Sequence, residues 1–334
     1  MQIPGQIPGQ IPGQIAGQIA GQVAGQIAGA PLGQIAVLPE GRAPWLQDAV
    51  LDGGGTVTDD LAVADGIVWA DPRAPDALAA VLAQHPQIPW VQLPFAGIDN
   101  FRHVLDHDRL WSCGKGVYAE PVAEMALALA LACCRDLDGY ARATTWGRDH
   151  GRNLLGARVT VLGGGEITAS FLRLLAPFRC HTTVVTRHPR PRSGADEVVG
   201  ADMLHEVAAS TDVLVLALAL TPETEGIVGT TLLAALPDHA VVVNVARGAH
   251  VDTDALVAAL RAGTLGGAGL DVTAPEPLPD GHPLWTTPGV LITPHTANTQ
   301  AMGRPLLAAR VRENVIRRIA GEPLLGPVDV DLGY

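Results

Sequence analysis

Apolar residues come in short runs bounded by turn formers, and stretches of helical spacing separate the runs. Runs at 34–38, 66–70 and 90–93 alternate with helix-like segments such as 74–84. That alternation predicts strands joined by helices, and so a parallel α/β sheet. Residues 119–137 read as one long apolar helix, and a second alternating series follows at 158–162, 182–186, 213–217, 240–244, 267–270 and 290–293. Two α/β units therefore share the chain. A last helix near 300–320 has a charged face and an apolar stripe, the pattern of an element that packs on a surface, and it could return the chain to the first unit. Ahead of the first strand, a short unit beginning Gln-Ile-Pro-Gly repeats to about Gly29, with alanine later replacing proline. It has no aromatic and no charge, so it is expected to be a flexible low-complexity tail over residues 1–33.

Composition narrows the class of protein. The chain has 334 residues, 48% of them hydrophobic, enough to build two ordinary cores. Its net charge of −12 disfavours nucleic acid as a partner. The four cysteines, Cys113, Cys133, Cys134 and Cys180, lack metal-ligand spacing, so no metal site is expected. Two adjacent cysteines also staple distant segments poorly, which points to a reducing cytosol. The most apolar stretch, 125–134, is far shorter than the roughly 20 residues of a membrane span. The N-terminus lacks the basic and compact apolar regions of a secretory signal, so a cytoplasmic location is expected.

The second series carries the first chemistry. The run 158–162 feeds into Gly163-Gly-Gly165-Glu-Ile-Thr168 and then a helical segment. Strand, glycine turn and helix is the context of a dinucleotide fingerprint. Gly163 allows the tight turn, and Gly165 lets the backbone approach a pyrophosphate held at the helix N-terminus. Thr168 stands where a third glycine would serve helix packing. About twenty residues on, the next strand should end in an acid that binds ribose hydroxyls; it ends instead in Thr186 and Arg187, followed by Arg190 and Arg192. Guanidiniums suit a 2′-phosphate better than free hydroxyls. The other reading of that stretch is a solvated basic loop.

Three further motifs place polar residues just after apolar runs: Asn244-Val-Ala-Arg-Gly-Ala-His-Val-Asp252, Leu270-Asp-Val-Thr-Ala-Pro-Glu-Pro277 and Thr293-Pro-His-Thr-Ala297. Strand ends of this kind face the ligand crevice of an open sheet. With these motifs the sequence resembles the D-isomer-specific 2-hydroxyacid dehydrogenases over nearly everything after about Gln34.

The resemblance implies two Rossmann-like parallel-sheet domains with a cleft between them. A discontinuous substrate domain is expected at 34–116 and 302–334, and an NAD(P)-binding domain at 117–301. It implies hydride transfer between NAD(H) or NADP(H) and a small 2-oxo or 2-hydroxy acid, with Thr186 and Arg187 tilting the cofactor toward NADP(H). Arg247 would anchor the substrate, Glu276 would orient the histidine and His295 would transfer the proton. Those roles suit the residue types: histidine titrates near neutrality, a carboxylate beside it fixes the ring and favours imidazolium, and arginine offers a rigid fork to a carboxylate. Gly163, Gly165, Glu166, Ile167, Thr186, Arg187, Thr221, Thr224, Ala246 and Asp271 are the expected cofactor contacts, Asp271 being either structural or a modulator of proton affinity. Ala96 and Gly97, in Pro94-Phe-Ala-Gly-Ile-Asp99, would join Arg247 in binding substrate through backbone amides.

Ala219 departs from the family pattern, which often has proline before the Thr221–Thr224 loop. A homodimer is implied. Compact length points to glyoxylate or hydroxypyruvate, and the lack of an added C-terminal domain argues against phosphoglycerate. Two other classes stay open: a dinucleotide-sensing, corepressor-like protein on the same fold, and a scaffold whose repeat tail does the binding. Joint presence of Arg247, Glu276 and His295 favours the enzyme.

Overall fold

The structure, a computed structural model, describes residues 32–333, so the tail expected at 1–33 lies almost wholly outside the described residues. The chain forms two compact units; one ends at Lys115 and resumes at Pro305, and the other runs Gly116–Arg304.

The smaller unit is built on five parallel strands, β1 (Gln34–Leu38), β2 (Thr56–Val57), β3 (Gly66–Trp69), β4 (Trp90–Gln92) and β5 (Leu110–Ser112), in the order β2-β1-β3-β4-β5. Its helices α1 (Pro44–Asp52) and α2 (Pro75–Gln84) both begin with proline in the first turn, where the missing N–H costs nothing. Ile67, Trp69, Leu78, Val91, Leu93 and Trp111 fill its core.

The larger unit opens with α3 (Ala119–Cys134) and α4 (Leu137–Arg142). Residues 119–137 are thus not one helix: α3 stops at Cys134, and Asp136 takes a left-handed φ of 51° that turns the chain before α4. Seven strands follow, β6 (Arg158–Leu162), β7 (His181–Val185), β8 (Glu197–Val199), β9 (Val213–Leu216), β10 (Val241–Asn244), β11 (Gly267–Leu270) and β12 (Val290–Ile292). Helices α5 (Glu166–Leu175), α6 (Leu204–Ala208), α7 (Thr230–Ala235) and α8 (Thr253–Ala262) connect them. The sheet is parallel throughout, in the order β12-β11-β10-β9-β6-β7-β8.

Its central strands are apolar on both faces because helices cover both. Val159, Val161, Val213, Val215, Val241 and Val243 point into one core with Leu129 of α3 and Phe171 of α5; Leu162, Leu214, Leu216, Val242 and Leu270 point into the other with Leu232, Leu233 and Leu256.

The last helix, α9 (Gln300–Ala320), crosses the boundary between the units. From Pro305 onward it belongs to the smaller one, where buried Asn314 donates to Gln92 Oε1 at 2.7 Å and to the Leu325 carbonyl at 3.0 Å. Among the described residues no helix is long and apolar enough to cross a membrane.

Candidate active site

Because the larger sheet is parallel and in register, the carboxyl ends of its seven strands lie along one edge. The chain order reverses between β6 and β9, which are neighbours, and such a switch point opens a crevice at that edge. Gly163 begins the turn there with φ 101°, and an added Cβ would lie 2.3 Å from the Ala217 carbonyl oxygen at the end of β9. Only glycine meets both demands.

Thr168 succeeds in the third glycine's place because its side chain is fully buried and its hydroxyl donates to the Gly163 carbonyl at 2.8 Å. Gly165 caps α5 with no side-chain partner, and a Cβ added there would meet nothing within 4 Å. The first helical bond runs from the Ala169 amide to Gly165, so the amides of Glu166 and Ile167 precede it, at the positive end of the helix. Open space above such amides fits a dinucleotide pyrophosphate.

Past β7, the Thr186 amide donates to Val199 of β8 at 3.0 Å. The half-exposed Arg187 guanidinium lies 3.4 Å from Glu223 Oε2. Glu223 belongs to a turn fastened by its threonines: the Thr224 hydroxyl accepts from the Thr221 amide and donates to the Ala219 carbonyl, both at 2.8 Å.

Arg247 follows β10 on a loop shaped by buried Asn244, which accepts from the Ala246 amide at 3.0 Å and donates to the Arg247 carbonyl at 2.8 Å. The Arg247 guanidinium donates to the Ala246 carbonyl at 2.7 Å. Gly248 is required beside it, since an added Cβ would sit 2.0 Å from the Thr273 carbonyl, on the loop after β11.

That loop carries Asp271 and Glu276. Asp271 is 2% exposed, and its burial is compensated by three donors from the histidine loop: the Thr293 hydroxyl at 2.5 Å and the amides of Thr296 at 2.9 Å and Ala297 at 3.0 Å. The His295 amide donates to the Asp271 carbonyl at 2.8 Å, and His295 holds a left-handed φ of 52°. A non-glycine residue kept in that region marks a position the surroundings over-determine. His295 Nδ1 is 2.6 Å from Glu276 Oε1, with both side chains about half exposed. The ring's other nitrogen, Nε2, is then the one left to exchange a proton with a ligand.

The three motifs are thus brought together by contacts of Gly248 with Thr273 and of Asp271 with the histidine loop. Ala96 and Gly97 lie on the loop beyond β4, in the smaller unit, where Ala96 is exposed.

Two residues were not singled out by the sequence reading. One is Asn244, legible as the polar residue that ends the run Val241–Val243. The other is His250, fully buried, with Nδ1 3.2 Å from the Arg247 amide and Nε2 3.3 Å from the Ala219 carbonyl. It stands in the Arg247 motif, but only the fold shows its ring buried against that loop. Among the described residues, no group of three His, Cys, Asp or Glu side chains is placed to hold a metal ion.

Known proteins resemble this chain in sequence and in fold. Residues 126–297 match the family described as D-isomer specific 2-hydroxyacid dehydrogenase, NAD binding domain. An uncharacterized protein of Corynebacterium melassecola is 39% identical over 297 residues, covering 86% of this chain and 95% of that one. Glyoxylate/hydroxypyruvate reductase A of Klebsiella pneumoniae subsp. pneumoniae is 41% identical over 177 residues, 53% of this chain and 56% of its own. The crystal structure of a D-isomer specific 2-hydroxyacid dehydrogenase from Xanthobacter autotrophicus Py2, in complex with NADPH and MES, superposes with a TM-score of 0.78 at 31% identity, covering 91% of this chain and 100% of that one. The matched family and the extent of these likenesses settle the kinship: the chain belongs to the D-isomer-specific 2-hydroxyacid dehydrogenase family.

Proposed function

We propose that the chain reduces a short 2-oxo acid, glyoxylate or hydroxypyruvate, with NADPH as the preferred donor. The observation that carries the reading is the 2.6 Å pair of His295 and Glu276 on a loop fastened by Asp271, along the same edge as the open Gly165 turn. Bound reduced nicotinamide supplies the hydride. His295, oriented through Nδ1 by Glu276, gives the carbonyl oxygen a proton from Nε2 as negative charge builds there. Arg247 draws the substrate carboxylate into a two-pronged contact and polarises the ketone.

The amides of Ala96 and Gly97 are approachable to a carboxylate in this reading, because their own side chains are short. Thr221, Thr224, Ala246 and the backbone around Asp271 flank the nicotinamide half of the cofactor, the Asp271 carboxylate itself being committed to the histidine loop. A homodimer in a reducing cytosol belongs to the same reading; four free thiols, two of them adjacent, support the compartment.

The test is steady-state oxidation of NADPH and NADH by the full chain over a panel of 2-oxo acids, repeated with Thr186→Asp. Expected are turnover of glyoxylate or hydroxypyruvate above bulkier 2-oxo acids and a higher kcat/KM with NADPH. A carboxylate at 186 would repel a 2′-phosphate, so the variant should lose that preference. A parent favouring NADH by tenfold, with the ratio unmoved in the variant, would reject the cofactor reading.

A further inference from the structure

The connection from β7 to β8 carries three arginines, and their surroundings differ. Arg187, next to the strand end, already has a carboxylate neighbour in Glu223. Arg192 folds back onto the glycine turn. A Cβ built on Gly164 would lie 2.7 Å from Arg192 Nη2, 2.8 Å from Nε and 2.9 Å from Cζ, and these are the three nearest atoms. The Nε–Nη2 edge of the guanidinium therefore lies nearest the glycine, in the space any side chain at 164 would fill. Its Nε is buried with no hydrogen-bond partner. A cation is therefore packed against the positive end of α5, beside the open space over Gly165, with no carboxylate within ion-pair distance among the described residues. That arrangement is unfavourable until an anion completes it, because the helix amides and the guanidinium repel one another and attract the same ligand.

From this geometry we infer that Arg192, seated on Gly164, is the guanidinium that binds a phosphate of the dinucleotide, and that Arg187, neutralised by Glu223, contributes little. The middle one of the three consecutive glycines then has a function of its own: Gly164 is the seat of the arginine. Lysine would not replace it well, since a point charge on a flexible stem has no planar group to fill that space and present two donors in a fixed fork. The phosphate is either the 2′-phosphate of NADPH or the pyrophosphate that every dinucleotide carries. The inference rests on the reading of this turn as a dinucleotide site.

Five full-length proteins decide the matter: the parent, Arg192→Gln, Arg187→Gln, Gly164→Ala and the double variant Gly164→Ala/Arg192→Gln. Each is titrated, by quenching of protein fluorescence, with NADPH, NADH, 2′,5′-ADP and ADP-ribose, so that the readout is binding and not turnover. Arg192→Gln and Gly164→Ala should each weaken NADPH by about tenfold or more, the scale of one lost charge-assisted contact, while Arg187→Gln changes it by less than about threefold. Alanine at 164 meets only the movable end of Arg192, so the double variant Gly164→Ala/Arg192→Gln should bind no worse than Arg192→Gln alone.

Loss confined to NADPH and 2′,5′-ADP assigns the 2′-phosphate; loss on all four ligands assigns the pyrophosphate. Thermal unfolding without ligand should not fall in Arg192→Gln, since no ion pair is removed and a cation is taken away from the positive helix end. A variant Arg192→Gln that binds all four ligands like the parent, or an Arg187→Gln that loses more, overturns the inference while leaving the dinucleotide reading intact. A parent that binds none of them overturns both.

Discussion

His295 and Arg247 carry different burdens, and single substitutions separate them. Removing the imidazole takes away the proton donor but leaves the glycine turn and the Arg247 loop untouched. His295→Ala should therefore lower kcat by about a hundredfold or more while NADPH binding survives. Arg247→Ala should raise KM for the oxo acid and lower kcat together, because the same guanidinium anchors the carboxylate and polarises the ketone. Steady-state kinetics beside a cofactor titration check both, and parental turnover in either variant would refute its role. At this scale the sequence was most informative about residue identity. Arg247, Glu276 and His295 were legible because each stands in an ordered motif after an apolar run. Asp271 could be read either way from sequence; three donors from the 293–297 loop make it a fastener. Its partners lie more than twenty residues away, so no local pattern reveals them.

Among the elements, the buried central strands were read almost residue for residue, since a strand covered on both faces is a continuous apolar run. Three strands escaped. β2 has two residues, while β5 and β8 have three each, and β8 begins on Glu197; short edge strands need no apolar run. The end of α3 escaped too, because Asp136 and its left-handed turn sit in a stretch whose hydrophobic pattern continues. The helix carries its own consequence. Burial pushes the Cys133 thiol up to about 12 and the Cys134 thiol to about 11. Both groups are held neutral in the folded state, whereas unfolded thiols ionise near their ordinary value of 9.0. The unfolded state then binds fewer protons above about pH 9, so stability falls as pH rises from there toward 11. Denaturant midpoints measured from pH 8 to 10.5 should decline, and substituting both cysteines by alanine should flatten the decline.

His250 belongs to the same scale, since it bridges two loops after different strands. Its ring contacts the Arg247 amide on one side and the Ala219 carbonyl on the other. As a positioning residue it should affect substrate through Arg247 and not the proton transfer. His250→Ala is expected to raise KM for the oxo acid about tenfold with a smaller change in kcat, and His250→Asn, which can still reach one partner, should recover part of the loss. A variant that loses kcat alone, with KM unmoved, would show that the bridge does not act through Arg247.

For the whole molecule, the larger unit is one uninterrupted stretch of chain, but the smaller one is closed by both of its ends. The seam is Asp65, whose two oxygens take Arg318 of α9 at 2.6 and 3.2 Å, while Oδ2 also accepts the Gly33 amide at 3.1 Å. Both side chains are largely out of water, at 4% and 13% exposure. Breaking such a pair by removing one partner leaves the other charge buried and unmatched, which costs about 3–5 kcal/mol. Asp65→Asn should therefore unfold the smaller unit at lower temperature without touching the Gly165 turn. Tryptophan fluorescence reads the two events apart. Trp69, Trp90 and Trp111 are buried in the smaller unit, whereas Trp146 and Trp285 of the larger one are already exposed. The fluorescence midpoint should drop by several degrees in Asp65→Asn while NADPH affinity at 25 °C stays within about twofold of the parent. An unchanged midpoint would mean that the C-terminal helix is held by its apolar face and Asn314 alone, with the ion pair adding nothing to the closure.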